Sequence, residues 1–535
     1  MGGGGRPPAR RAEKECVWRL RLRALPPAAW PLSLLLCCVI LVAVSAGCTA
    51  VDHKQTDLER ADGLRAVGRF TEAAPLYSAL LQDVGSSPAD LEIAAACRTG
   101  LSDMELLSAV YALTEDDARE ALAEAFPQVP EAERESWLTG GSLEHISIDG
   151  TPHYFYGVAD NVRYRDMNLM HQDADMPALH LALVKGVVGN IATVAQPDPW
   201  WPYSFPNSYR GVGTLAVPRE VLPETGTLKI WFPLPLTLGF QQPVEIESIE
   251  PAAYLKTPPQ ISGDIGVAYM EVPLAELADD LDVRIEFTFT HYEQHFAVDP
   301  SRVGAYDTSD PEYVRYTGSY GNTTITEDIR RTARAVVGDE HNPYLAAKKI
   351  YDYMEEHILY SYMPHHAFWP RSDMRESVYV HEHGYGDCGA QGMYFSALCR
   401  AVGIPARCTG GWQLMGGTFG SHFWAEFLVP GYGWIPVDTN AGQMHTFTPD
   451  ATDEQRRIYS DFYFGNQDAF RCVVQKDVDV PFVPVAEELT SLPPALQEPQ
   501  ALCETMEGCP SLVLLPYWKL EATVLEESHS LGLGT

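Results

Sequence analysis

Positive charge is in short supply: 38 Lys and Arg stand against 72 Asp and Glu, giving a net charge of −34 over 535 residues. So acidic a body repels nucleic acid and anionic membrane surfaces, which excludes both as partners. Long apolar runs are equally few. Only Leu32 to Val44 approaches the roughly 20 residues of a membrane span, and no later segment is apolar enough to cross. No Asp/Asn-rich loop has the spacing of calcium ligands. His381-Glu382-His383, close to Cys388, lacks the paired-ligand spacing of a zinc site and a fourth ligand, and reads as a polar loop at the mouth of a site. The glycine-rich stretch 416–420 follows no strand-to-helix transition, so it is a rim loop and not a phosphate cradle. No cofactor and no metal are expected.

The cations that are present crowd the beginning of the chain. Arg6, Arg10, Arg11, Lys14, Arg19, Arg21 and Arg23 precede the apolar run, which ends in Ser45-Ala46-Gly47-Cys48. Small residues before a cysteine resemble a bacterial lipoprotein cleavage site, making 1–47 a leader and Cys48 the lipidated first residue. Ser45 stands where a branched aliphatic residue is preferred, so ordinary cleavage and a retained signal anchor stay open. The expected location is the cell envelope, on its periplasmic or extracellular face, with lipid rather than charge holding the protein to the membrane. Of the eleven cysteines, Cys503 and Cys509 bracket a short loop and form the disulfide candidate, while Cys399 and Cys408 read as buried thiols.

The most informative stretch is Gly384-Tyr385-Gly386-Asp387-Cys388-Gly389, a turn of small residues leading into a helical run from Ala390 to Ala401. A thiol at a helix N-terminus meets unpaired N–H groups and the positive end of the macrodipole, which favours the thiolate. Downstream, Ser421 to Phe427 alternates like a strand and carries His422. Gly431 to Asp438 reads as a turn and a second strand ending in Asp438. A hairpin would set histidine and aspartate side by side: imidazole to take the thiol proton, carboxylate to fix the tautomer. Each residue alone is more often structural; the three in order, each in such a local context, point to a Cys-His-Asp site.

The Tyr385-Gly386-Asp387-Cys388 turn, Leu398 to Arg407, His422-Phe423-Trp424-Ala425-Glu426 and Gly433 to Asp438 together resemble the transglutaminase-like superfamily of cysteine enzymes. The resemblance implies a papain-like core and the roles of nucleophile, base and orienting acid for Cys388, His422 and Asp438. Cross-linking members of animals usually carry a bulky aromatic after the nucleophile, whereas Gly389 stands here. That departure weakens the case for protein cross-linking, and hydrolysis is the expected outcome because water is the default acceptor and no amine pocket can be read. Cys388's own N–H is the expected oxyanion donor, with Tyr360 or Tyr362 as the second.

The expected fold is α+β: a papain-like transglutaminase core preceded by an antiparallel β-sandwich and an N-terminal helical unit. The expected divisions are a leader at 1–47, a helical region at 48–140, a linker with a helix from Met176 to Val194 at 141–205, a β-sandwich at 206–300, the core at 301–475 and a tail at 476–535. Gly68 to Tyr77 resembles the turn and second helix of a tetratricopeptide hairpin, which makes the helical unit a candidate docking surface for a protein partner. Two functions follow. One is an envelope cysteine enzyme, a peptidase or deamidase, that attacks amide or peptide bonds of a protein or peptide substrate through a thioester. The other is a catalytically inactive envelope lipoprotein serving as a protein-binding scaffold.

Overall fold

The computed structural model describes residues 53–85, 87–173, 175–194, 201–368, 372–415, 419–486, 495–504 and 511–531. The leader and Cys48, most of the rim loop (416–418) and Cys509 lie outside the described residues. The chain divides into Met1–Thr56 and Asp57–Thr535. Of the first unit, residues 53–56 are described and are helical. Among the described residues no helix is long and apolar enough to cross a membrane.

The second unit begins with helices whose ends are written in the sequence. Gly68, at φ 76°, makes the turn before the helix Phe70–Asp83. Ser87 caps Pro88–Val110, and Thr114 and Asp117 form a reciprocal capping box at Glu115–Ala125. Phe70, Ala73, Tyr77 and Leu80 recur at helical spacing and pack on Ile93, Cys97 and Met104. The stretch expected as a linker is ordered: a hairpin of His145–Ile148 and Thr151–Tyr154 precedes helices Val158–Arg165, Met167–Gln172 and Met176–Ile191.

Period-two alternation then gives antiparallel sheets. One sheet runs Gln241–Glu250, Leu281–His295, Tyr203–Val217, Trp518–Glu527, with Asn466–Gln467 extending the end of Leu281–His295. A second runs Ser511–Val513, Gln500–Glu504, Thr227–Pro233, Val267–Pro273. Val283, Ile285, Phe287 and Phe289 of the first share an apolar cluster with Leu228, Ile230, Phe232 and Met270 of the second. Half of each sheet's outer strands therefore come from the tail, whose role the sequence leaves unreadable. Cys503 is a buried free thiol on one of those strands.

The third sheet orders Gly433–Val437, Gly420–Val429, Ala406–Gln413 and Arg471–Gln475, all antiparallel. Helix Cys388–Ala401 packs on it, every residue after Cys388 buried. Helices Glu327–Val337 and Pro343–His357 complete this core. Asn342 caps the second of these and Thr326 the first. Thr324, two residues earlier, turns its hydroxyl to the Gly321 carbonyl, 2.7 Å away. The Pro343 helix ends at His357, and Leu359–Tyr360 then pairs in parallel with Tyr385–Gly386 just before the nucleophile.

Candidate active site

Three local devices place Cys388. Gly384, left-handed at φ 74°, ends the helix Glu376–His383. Gly386 then lets the chain pass Val380, whose Cγ2 would lie 2.8 Å from an added Cβ. Asp387 caps the next helix, its Oδ1 accepting the Ala390 N–H at 3.0 Å, so Cys388 is the first helical residue. Phe423 lies against Gly389, where an added Cβ would come within 3.3 Å of its ring. A small residue after the cysteine is therefore built into the packing.

His422 and Asp438 meet through the expected hairpin. Ala425 faces Val437 in its register, and Gly431 and Gly433 take the positive φ angles of the turn. His422 Nε2 donates to Asp438 Oδ2 at 2.8 Å, and both side chains are buried. Cys388 and His422 line one cavity of about 440 Å³, together with Tyr360, whereas Tyr362 is not among its lining residues. Burial works against ionisation of Asp438, but Arg471 and His422 outweigh it and hold the carboxyl well below the usual range.

The thiol does not follow the sequence expectation. Burial, reinforced by the charges of Asp387 and Asp438, pushes Cys388 up, and the backbone N–H groups of Phe423 and Gly389 only partly oppose this. Desolvation opposes the helix N-terminus here and favours the neutral thiol at rest.

Sequence reasoning missed what lies behind Asp438. Arg471, fully buried, donates to Asp438 Oδ2 and also to Asp468 Oδ2 at 2.9 Å. Asp468 is itself fixed by the Phe470 N–H at 3.0 Å and the Tyr463 hydroxyl at 3.1 Å. The guanidinium carbon lies 5.1 Å from the centre of the Trp424 ring, and that ring stands beside His422 at 5.9 Å. The tail contributes as well: Gln497 Nε2 donates to the His422 carbonyl at 3.0 Å and to that of Gly411 at 2.6 Å.

A second cluster flanks the nucleophile. His365 bridges two carboxylates: Nδ1 meets Glu376 at 2.7 Å and Nε2 meets the capping Asp387 at 2.6 Å. Burial disfavours the charged ring, yet Asp387 and Glu376 outweigh it and hold the histidine well above its usual value of 6.5. Burial pushes the Glu376 carboxyl up, and His365 offsets this only in part. A raised histidine stabilises the fold fully below its unfolded value and loses that contribution as pH rises through the folded one. His365→Gln is therefore expected to flatten the alkaline fall in stability, measured as the urea midpoint from about pH 6 to about pH 10. An unchanged profile would remove His365 as its source.

Other sequence candidates lie elsewhere. His381 and His383 sit on a helix, not a loop, with His381 Nδ1 2.9 Å from the Tyr394 hydroxyl, and neither lines the cavity. Arg407 pairs with Glu426 at 2.7 Å and stacks on Trp434 at 4.0 Å, a packing role away from the cavity. Among the described residues, no His, Cys, Asp and Glu group has the arrangement of a metal site.

Residues 330–439 match the family model of the transglutaminase-like superfamily core. Among solved structures, the chain is similar to a candidate cysteine protease from Cytophaga hutchinsonii at 12% identity and a TM-score of 0.38, over 61% of this chain and 92% of that one. It is also similar to the periplasmic domain of TgpA from Pseudomonas aeruginosa at 14% identity and a TM-score of 0.24, over 48% of this chain and 91% of that one. No curated protein matches it in sequence.

Proposed function

From a transglutaminase-like core at residues 330–439, we propose that this chain is an envelope cysteine hydrolase of amide or peptide bonds, with Cys388, His422 and Asp438 as its catalytic residues. One observation carries the reading. A cysteine at a helix start and a histidine held by a buried, ionised aspartate open onto the same cavity.

In this reading the neutral thiol loses its proton as it attacks. With Nε2 of His422 engaged by Asp438, Nδ1 is the nitrogen left to take it. The sulfur–carbon bond forms as the carbonyl becomes an oxyanion, which the Cys388 N–H and the Tyr360 hydroxyl would stabilise. His422 then returns the proton to the leaving nitrogen, the carbon–nitrogen bond breaks, and a thioester remains. Water attacks the thioester, gives one proton to His422 and releases the carboxylic acid, while His422 restores the thiol. Water is preferred over an amine because, among the described residues, none lining the cavity is a carboxylate that would hold a cationic acceptor. In the same reading the two sheets that share a core act as a sandwich supporting the catalytic sheet, and the N-terminal helices offer a docking face for a protein partner. The leader pattern ending at Cys48 supports a lipid anchor at a membrane in the same reading.

The test is alkylation of Cys388 by iodoacetamide across pH, followed by mass spectrometry of the enzyme mixed with peptide amides. The expected result is slow alkylation in the free enzyme until well above pH ~8.5, the free thiol value, together with an acyl adduct on Cys388 that disappears in His422→Ala. No adduct and no product with any peptide amide would favour a scaffold over an enzyme.

A further inference from the structure

One wall of the cavity that holds the catalytic pair does not come from the 330–439 core. It comes from the helix Met176–Ile191, which presents Met176, Leu179 and Leu183. Met415 of that core, and Met444 and Phe447 just beyond it, close the apolar surface around them. No Asp, Glu, Lys or Arg is among the described residues that line the space; the polar ones are the neutral groups of Gln413, Ser421, Asn440 and two tyrosines, beside the catalytic pair and His180. His180 is turned back on its own helix, its Nδ1 2.8 Å from the Met176 carbonyl, with its ring edge-to-face on Phe447 at 5.0 Å. Burial pushes it down, so it is uncharged.

The helix is fastened in place by its other side. Val184 and Val187 pack with Tyr459, Phe462, Tyr463 and Leu531. Asn190 Nδ2 donates to the Ser530 carbonyl at 3.2 Å, and Gly186 faces Leu531 so closely that an added Cβ would stand 2.7 Å from its carbonyl oxygen. Just before the helix, His171 Nε2 lies 2.9 Å from the Thr446 carbonyl, beside Phe447. Tail, catalytic domain and N-terminal segment thus hold one preformed apolar wall. Leu179 is nonetheless 46% exposed, an apolar side chain left facing the opening.

We infer that this wall is the specificity subsite for the acyl side of the substrate, and that it takes an uncharged apolar side chain next to the attacked carbonyl. This rests on the catalytic reading above. The physical ground is asymmetric: an aliphatic or aromatic side chain sheds water against Met, Leu and Phe, whereas a cation or anion would be desolvated with no partner. A pocket of this kind discriminates weakly among apolar side chains and strongly against charge.

The experiment reads binding and does not need turnover. In the full chain carrying Cys388→Ala, acetyl-alanyl-Xaa-amides with Leu, Phe, Lys or Glu as Xaa are titrated by calorimetry. Leu and Phe are expected to bind at least about tenfold more tightly than Lys or Glu. Leu179→Glu, at a half-exposed position that tolerates the charge, is expected to place Lys above Leu. Equal affinities, absent binding of the leucine peptide, or an unchanged order in a folded Leu179→Glu protein would overturn the inference. Failure of the catalytic reading shows separately, as a wild-type chain that binds the leucine peptide in this order yet forms no acyl adduct on Cys388.

Discussion

Arg471→Met is expected to destabilise the protein by about 3–5 kcal/mol, the range for removing one partner from a buried ionic network. The guanidinium is completely buried and serves two carboxylates, Asp438 and Asp468, which are themselves buried. Methionine fills much of the same volume, so the loss is electrostatic and not a cavity. Both aspartates then face each other's charge without a cation, and one must take up a proton or admit water. The second substitution locates the cost. Asp468→Asn added to Arg471→Met removes one stranded charge and leaves Asp438 with His422, so a part of the lost stability returns. Urea unfolding of the three proteins at neutral pH supplies the comparison. A double variant no more stable than Arg471→Met alone would mean that Arg471 acts through packing on Trp424 and Tyr463, which lie 5.1 and 5.7 Å from its guanidinium carbon.

This network shows where sequence reading succeeds and where it stops. Cys388, His422 and Asp438 stand out because each lies in a short context that dictates local geometry: a glycine turn before a helix, an alternating strand, a Gly-X-Gly hairpin. The structure brings Cys388 and His422 to one cavity and His422 onto Asp438. Arg471 has no such context. It is the first residue of a five-residue strand, and nothing nearby indicates that its partner is Asp438, on the far side of the helix Asp453–Phe462. His365 is similarly mute, since its link to Asp387 depends on how the chain returns after a three-residue turn. The helix Met176–Ile191 is legible from its periodicity, but its site of docking depends on residues 530 and 531, more than 300 positions later. The strands of the tail fail for the same reason: Gln500–Glu504 pairs with Thr227–Trp231, and register at that separation is fixed by the sheet it joins. The thiol is a different case. A helix N-terminus is visible in sequence, whereas the burial that opposes it is not.

Asp438→Asn is expected to lower kcat on the order of 10³–10⁴-fold while leaving KM nearly unchanged, because the substitution attacks the tautomer of His422 and not the substrate cavity. Both oxygens of Asp438 are already engaged by donors. Oδ2 accepts from both His422 and Arg471, and Oδ1 accepts the Ala441 N–H at 2.8 Å. An asparagine has only one oxygen for these three donors. If its amide nitrogen faces His422, the ring must accept at Nε2 and carry its proton on Nδ1, where it cannot receive the thiol proton. If the nitrogen faces Ala441 instead, two N–H groups oppose each other and the cap of helix Thr439–Gln443 is lost, at about 1 kcal/mol. The guanidinium of Arg471 requires an oxygen beside His422, so the second arrangement keeps some correct tautomer and pays in stability, and the kinetic and stability losses trade against each other. The acid limb separates them from general damage. Asp438 is held below the usual carboxylate range, so its contribution is present above the unfolded value near 3.8 and is lost as pH falls through the folded one. In the asparagine variant that part of the acid dependence of stability should vanish. A variant with wild-type kcat, or one whose acid unfolding is unchanged, would show that the carboxylate neither orients His422 nor carries the charge that Arg471 is buried to meet.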